Sequence, residues 1–596
     1  MAVAFNTLPH HISSLAHRPL ARLVALVIVL IFLSYFFLPF SALQSQYTTV
    51  PEPFHDRTSF FNRPLNERPQ RHGHFRPPPL KHSHAADKLW AGRAEQVKGA
   101  FLHAYDAYRE NAVGHDEVLP LSNRSIDNFN GWGLTVVESL DTMWLMGLQT
   151  EFDEALSIVS NMTFSLEPTR FAPFFETVIR YLGGLLSAYA LSADPIFLAR
   201  ADDLGSMLLP ALDTHSGLPM YAINTVSGKT QYGWAAGTTL WAEALSCQLE
   251  YKYLAYLTGR KSYYTKVQDI MTLMYAANLT STQGLFPTLW DTAHGTPRTT
   301  SVSVGAFADS AYEYMLKQWL LTGRTDAQAR DLYVRSANAI LDNLLFVTHT
   351  RGLLYVTDTT APHVPTHIFE HLSCFLPGVL ALGASTLPES SLSDAQRERH
   401  LFAARGLAQT CWALYNDAQT GLAPDEVQMH VPSGASAARW GDLMHEWEKA
   451  GRPGLAPGTG DPAQVRQESA REYSPRKRAW LLRPEAVESF YILWRVTGEV
   501  RWREHGWAVF QAVERAARVE GGYASVENVD VVGGKGRDEM PSYFLAETLK
   551  YLYMLFTDSE LIPLDKWVFN TEAHPLPVFE WTDWERETYG IPSPSS

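Results

Sequence analysis

The chain has 596 residues and a mass of 66.9 kDa, enough for several domains or for one large domain built from repeats. A net charge of −14 excludes a nucleic-acid surface of the usual basic kind, because phosphate contacts need a cationic footprint. Three cysteines, Cys247, Cys374 and Cys411, exclude a disulfide framework: at most one bridge forms and one thiol stays free.

Residues 1–22 hold Arg18 and Arg22 and no acidic residue, and no charged residue appears from Leu23 to Leu43. That apolar run is long enough to cross a bilayer as a helix. Positive charge on its N-terminal side predicts a signal-anchor: a cytosolic tail over 1–22, a transmembrane helix over 23–43 and everything after it in a lumen. A cleaved signal peptide is the rival, but its apolar part should be shorter and end at small residues, whereas this one runs on through Phe36, Phe37, Leu38 and Phe40. Residues 44–86, rich in Pro, His, Arg and Asn, have no apolar period and read as an extended stem. Sequons at Asn123, Asn161 and Asn278 suit a luminal domain.

From Asp87 helical periodicity takes over. A short Gly-apolar strand signal recurs at Gly217, Gly284, Gly352, Gly421 and Gly522, the first three intervals being 67, 68 and 69 residues. The last interval is longer, and its surplus falls in 432–475, a stretch rich in Gly, Pro and Ala that reads as an inserted mobile loop. Amphipathic helices are predicted at 89–111, 151–161, 197–212, 262–277, 326–345, 395–416 and 501–518. More apolar helices begin near Val136, Phe175, Trp241, Ala308, His371, Pro484 and Ala546. A helix apolar on most sides is buried and one with a single apolar stripe covers it, so seven of each predict an all-α fold: an (αα)7 barrel with short β-hairpins over 87–580. Residues 581–596 are left as a C-terminal tail, and a two-lobed all-α protein is the structural alternative.

The apolar helices open with polar groups: Glu138 and Asp141, Glu176, Glu243, Asp309, His371, Glu485 with Glu488, and Glu547. In LLRPEAVESFYILWRVTG, Leu481–Gly498, Pro484 suits a first helical turn, the two carboxylates share one face and Thr497-Gly498 signals the C-cap. Parallel inner helices would bring these ends to one mouth of the barrel. Buried carboxylates are costly without partners, so such a ring needs cations, ligands or catalytic work, with Arg180 and Arg483 as fixed counter-charges. Oxygen-rich sites suit calcium, and paired carboxylates hydrolyse glycosidic bonds. The ligand spacing of a zinc site, a Gly-rich phosphate loop and a G-x-S-x-G elbow are missing.

LDTMWLMGL (Leu140–Leu148), FETVIRYLGGLLSAY (Phe175–Tyr189), ADSAYEYMLKQWL (Ala308–Leu320), HLSCFLPGVLALG (His371–Gly383), LLRPEAVES (Leu481–Ser489), AETLKYLYMLF (Ala546–Phe556) and FNTEAHP (Phe569–Pro575) resemble the class I α-1,2-mannosidases, glycoside hydrolase family 47. The resemblance runs from Asp87 to about Pro577. It implies a seven-hairpin αα-barrel and calcium-dependent, inverting removal of terminal α-1,2-linked mannose from high-mannose N-glycans. By motif, Glu176 matches the general acid, Glu485 the general base, and Asp309 a third essential carboxylate sometimes argued to be the acid. Thr571 matches the residue that binds Ca2+ through its own oxygens. Glu243, Arg180, His371, Arg483, Glu488, Glu547 and Glu572 match positions lining the sugar site or supporting the hydrated ion. Cys374 and Cys411 match the family's disulfide pair. Without this context His371 reads as a core histidine and Thr571 as unremarkable, while Asp141 reads as a structural cap or partner of a buried arginine.

Two departures stand out. Phe307 replaces the arginine of members that stop after one mannose, and Pro541 replaces an acidic residue or glutamine near Glu547. The expectation is therefore a monomeric enzyme of the Golgi or endoplasmic reticulum membrane that removes several mannoses. A mannose-binding quality-control lectin with weak turnover is the alternative from another class, and a membrane-tethered scaffold with a dead site is a third.

Overall fold

A computed structural model describes residues 85–592 apart from 433–436 and 558–559. The expected cytosolic tail, transmembrane helix and nearly all of the stem lie outside these residues. Among the described residues no helix is long and apolar enough to cross a membrane.

The helices in chain order are α1 (Ala85–Asn111), α2 (Leu134–Met146), α3 (Gln149–Ser160), α4 (Gly183–Ser192), α5 (Pro195–Leu208), α6 (Gln248–Thr258), α7 (Lys261–Ala276) and α8 (Asp309–Leu321). They continue as α9 (Ala327–Asn343), α10 (Leu376–Thr386), α11 (Asp394–Asp417), α12 (Trp440–Lys449), α13 (Glu485–Thr497), α14 (Arg501–Ala516), α15 (Leu549–Phe556) and α16 (Asp583–Tyr589). Two kinds alternate. α8 is buried along its whole length after Asp309, whereas α3 buries only Phe152, Ala155 and Val159, one stripe at helical spacing. The buried kind touch one another in order: α2 with α4, then α6, α8, α10, α13 and α15, and the turn leading into α15 returns to α2. Each is covered by an amphipathic partner: α3, α5, α7, α9, α11 and α14 follow theirs in sequence, and α1 covers α15.

Local chemistry sets the ends. α11 starts at a capping box, Ser393 with Gln396. α13 stops at Gly498, whose φ of 69° is the left-handed cap conformation that glycine adopts without strain. Three buried helices are entered through tighter or looser turns: π-turns at Thr177–Leu182 and Phe544–Thr548, and a 3-10 turn at His371–Phe375. Such irregular turns re-aim side chains, and here they lie beside Glu176, Glu547 and His371. A hairpin pairs Trp567–Phe569 with Pro575–Pro577 and packs against α8 and α4 within the ring. Gly183 makes room for its tip, since a Cβ there would lie 2.5 Å from Asn570 Nδ2. Gly184 likewise lets α4 approach α2, where a Cβ would lie 2.8 Å from Val137 O.

Two expected segment types differ from the structure. Residues 432–475 are not a bare loop: Ala438–Arg439 pairs with Leu345–Val347, α12 buries Trp440, and Tyr473–Lys477 pairs with Glu426–Met429. Buried Arg471 donates to both carboxylate oxygens of Asp530, at 2.8 and 2.9 Å. The anchoring residues are sparse among Gly and Pro, so no apolar period announces them. The expected tail from 581 instead forms α16 behind a Thr582–Glu585 capping box, and buried Tyr589 donates to Ala255 O at 3.1 Å. Cys374 and Cys411 are bridged, with Cα atoms 6.1 Å apart, and Cys247 is buried and free.

Candidate active site

The first turns of α8 and α13, the 3-10 turn before α10, the π-turns and the hairpin tip face one open cavity of about 810 Å³. Its walls include Glu176, Arg180, Asp309, Arg483, Glu485, Glu488, Glu547, Thr571 and Glu572, nine of the residues singled out in the sequence. Glu243, Phe307 and His371 are not on that wall.

Arg180 organises one side. Its Nε donates to Glu176 Oε2 at 2.7 Å, and its Nη1 donates to Glu572 Oε2 at 2.7 Å and to Glu138 Oε1 at 3.4 Å. The pairing of Glu176 with Arg180 spans four residues of one helical stretch, the spacing that puts side chains on one face. On the other side Arg483 Nε donates to Asp425 Oδ1 at 2.8 Å, while its Nη1 stays 4.0 Å from Glu485 Oε1. Arg483 follows Leu482, a non-glycine residue at φ 63°, a strained conformation that aims the Arg483–Glu485 turn inward.

Glu485 meets His371 Nδ1 at 2.9 Å, and His371 Nε2 lies 2.7 Å from the Tyr415 hydroxyl. His371 therefore stands buried behind Glu485 and reaches the cavity only through it. One turn on, Glu488 accepts from Tyr551 at 3.3 Å and lies 3.8 Å from Lys317 Nζ, which is also paired with Glu313. Burial pushes Glu488 up to about 8 despite Lys317. Burial likewise pushes Asp309 up to about 8, with Glu370, Glu313 and Glu485 adding to the rise against a 2.7 Å bond from Ser310 N–H. Glu243 rises to about 7 for the same first cause, with Glu176 close enough to contribute.

Thr571 sits at the hairpin tip, where the chain turns through Ala573 at φ 57°. Asn570 locks that turn: its Oδ1 accepts from the N–H groups of Glu572 and His574 at 2.9 Å, and its Nδ2 donates to Ile179 O and Glu250 Oε1 at 2.8 Å. Glu547 and Glu572 share a hydrogen bond, and burial holds both well above the ordinary carboxylate range. Asp141 lies outside the cavity with Lys550 Nζ and His574 Nδ1 each at 2.7 Å, so its partners are a lysine and a histidine rather than an arginine. Beside Pro541, Ser542 N–H donates to Glu117 at 3.0 Å.

At the rim Phe307 is 44% exposed and Trp234 is 72% exposed, with ring centroids 6.2 Å apart. Sequence reasoning missed Trp234, Glu313, Lys317, Asp425, Tyr415, Trp480 and Asn570. Glu313 and Lys317 follow Asp309 at intervals of four on α8, a spacing that points them to the same face. Asp425, Tyr415 and Trp480 find their partners only through the fold, and no local pattern marks them.

The model of glycosyl hydrolase family 47 matches residues 100–578. The mannosyl-oligosaccharide alpha-1,2-mannosidase IA of Spodoptera frugiperda is 36% identical over 83% of this chain and 68% of its own length. The human endoplasmic reticulum mannosyl-oligosaccharide 1,2-alpha-mannosidase is 38% identical over 82% of this chain and 64% of its own. The solved alpha-1,2-mannosidase from Trichoderma reesei superposes with a TM-score of 0.71 at 29% identity, covering 82% of this chain and 99% of that one. A match of this extent, falling on the helices and hairpin that build the cavity, makes the chain a member of glycosyl hydrolase family 47.

Proposed function

We propose that the protein is an inverting α-1,2-mannosidase that trims several terminal mannoses from high-mannose N-glycans. The carrying observation is the single cavity onto which Asp309, Glu176 and Glu485 all open in a member of this family. The ring of seven contacting helices, each with its cover, is read as the (αα)7 barrel.

Asp309, at about 8, holds a proton at neutral pH and is the donor to the glycosidic oxygen. Glu485 takes a proton from a water as that oxygen bonds to the anomeric carbon and the glycosidic bond breaks, so the first product is β-mannose. Glu176, matched to the acid by resemblance, has one oxygen engaged by Arg180 and is assigned to orienting the sugar and the Asp309 proton path.

Calcium is the implied cofactor, and the residues fit it. Around Thr571 the cavity offers oxygen donors, and Glu547 against Glu572 is a buried acidic pair that a nearby cation relieves. Among the described residues no group of three or more His, Cys, Asp or Glu is arranged to hold a metal directly. By the family resemblance, Thr571 would be the residue that holds the ion, with water filling its remaining sites. When bound it supplies Lewis-acid polarisation of sugar and water oxygens. We place the enzyme, as a monomer, in the lumen of the endoplasmic reticulum or Golgi, tethered by residues 23–43. Support comes from that uncharged apolar run and from the endoplasmic reticulum names of several relatives.

The test is a time course on a high-mannose N-glycan read by mass spectrometry and proton NMR, with and without a calcium chelator. Release of several mannoses, β first and lost on chelation, is expected. α-Mannose as first product overturns inversion, full activity in chelator overturns the calcium assignment, and glycan binding without release makes the protein the lectin.

A further inference from the structure

Glu485 is held from behind by a chain of buried polar groups that runs across two helices. Trp480 Nε1 lies 3.2 Å from the Tyr415 hydroxyl oxygen, which lies 2.7 Å from His371 Nε2, whose Nδ1 lies 2.9 Å from Glu485 Oε2. Trp480, Tyr415 and the His371 side chain are each 1% exposed.

The direction of the chain follows from its far end. An indole N–H only donates, so the Tyr415 oxygen accepts from Trp480. Among the described residues that oxygen has two hydrogen-bond partners, Trp480 and His371. If His371 donated from Nε2, the Tyr415 O–H would be buried with no acceptor, an arrangement folded proteins avoid. The Tyr415 O–H therefore donates to a bare Nε2. The one proton of the neutral ring then sits on Nδ1 and points at Glu485.

We propose that Tyr415, oriented by Trp480, is a positioning residue for the catalytic base: it fixes His371 as the Nδ1–H tautomer and so keeps a donor permanently on Glu485. This rests on the reading of Glu485 as base. A donor on Nδ1 leaves Glu485 an acceptor with its second oxygen turned to the cavity, where a water has to be met. Without the Tyr415 hydroxyl, Nε2 is buried with no donor, and the ring loses the contact that keeps its Nδ1–H aimed at Glu485. Glu485 also faces Arg483 at 4.0 Å, and Asp309, Glu488, Glu547 and Tyr543 lie within its electrostatic reach. None of these changes when Tyr415 loses its hydroxyl.

The test has two independent readouts on the full chain. 15N NMR of histidine-labelled protein, with His371 assigned by difference from His371→Asn, should give the Nδ1-protonated neutral pattern for His371. Tyr415→Phe should lower kcat about tenfold or more with KM for the glycan little changed. It should also move the acidic limb of kcat/KM to higher pH, because a carboxylate that loses a donor binds its proton more tightly. Trp480→Phe should shift the same limb in the same sense by less, and it stands in if Tyr415→Phe does not fold. An Nε2-protonated or doubly protonated His371 in the unmodified protein overturns the proposal, as does an unchanged acidic limb in both variants. Should the protein prove inactive on mannosides, the base assignment fails, while the NMR pattern still decides the tautomer.

Discussion

Asp309 opens α8, where the helix dipole favours a carboxylate by about 0.3–1 kcal/mol, less than one pKa unit. Its pKa is nevertheless pushed from an ordinary 3.8 up to about 8, so loss of hydration and the neighbouring Glu370, Glu313 and Glu485 outweigh the dipole. A donor must be protonated, so the mannosidase rate should fall as pH rises through about 8, and a pH–rate profile checks this. Asp309→Asn should cost about 10²–10⁴ in kcat. At the rim, Phe307 presents a flat apolar face beside Trp234 and cannot donate the forked hydrogen bonds of an arginine. Phe307→Arg should narrow the products towards a single-mannose cut, as read by mass spectrometry of the remaining glycan. Arrest of the unmodified enzyme after one mannose would put branch choice elsewhere.

At the scale of elements, the Cys374–Cys411 bridge ties the 3-10 turn before α10 to α11, and the His371–Tyr415 bond ties the same two pieces one turn further along. The bridge closes a sequence separation of 37 residues, which in the loop-entropy account is worth about 3–4 kcal/mol. The Cys374→Ser/Cys411→Ser double variant should lose stability of that order in urea unfolding. Much of this architecture was legible beforehand. The seven amphipathic helices lie within a few residues of their expected positions because a single apolar stripe at a period of 3.6 survives in sequence. The buried helices were found by their general apolarity, and their polar first turns pointed to the cavity. What stayed hidden depends on distant pairing. Trp440 looks like one aromatic in a glycine-rich stretch until Arg439 pairs with Phe346. Asp425 has no visible purpose until the fold sets it against Arg483, and Thr571 was recognisable only by family resemblance.

For the whole molecule, acid stability is set in part by His400, buried on α11 with Nε2 3.2 Å from Asn338 Oδ1. Burial, with Arg399 and Arg397 adding, lowers its pKa from 6.5 to about 4. The unfolded chain takes up a proton below 6.5 and the folded one does not until about 4. The stabilisation is therefore complete above pH 6.5 and is lost as pH falls through 4, amounting to about 3 kcal/mol. His400→Gln should flatten the fall in unfolding free energy between pH 7 and pH 4, measured by urea titration at both ends.

Closure of the ring by α1 against α15 has a consequence for how the protein comes into being. Trp90 of α1 stacks on Phe556 of α15 with ring centroids 5.9 Å apart. A ribosome delivers the first of these more than four hundred residues before the second, so at about 5–20 residues per second α1 waits on the order of 20–90 s for its cover. Its stripe of Val97, Phe101 and Ala104, buried in the finished protein, lacks the cover of α15 during that interval. The cavity wall is likewise incomplete until Glu572 has emerged. A newly made chain therefore passes through a long interval with that apolar stripe not yet covered by α15, and the cavity is complete only once the segments carrying α15 and Glu572 have both been made.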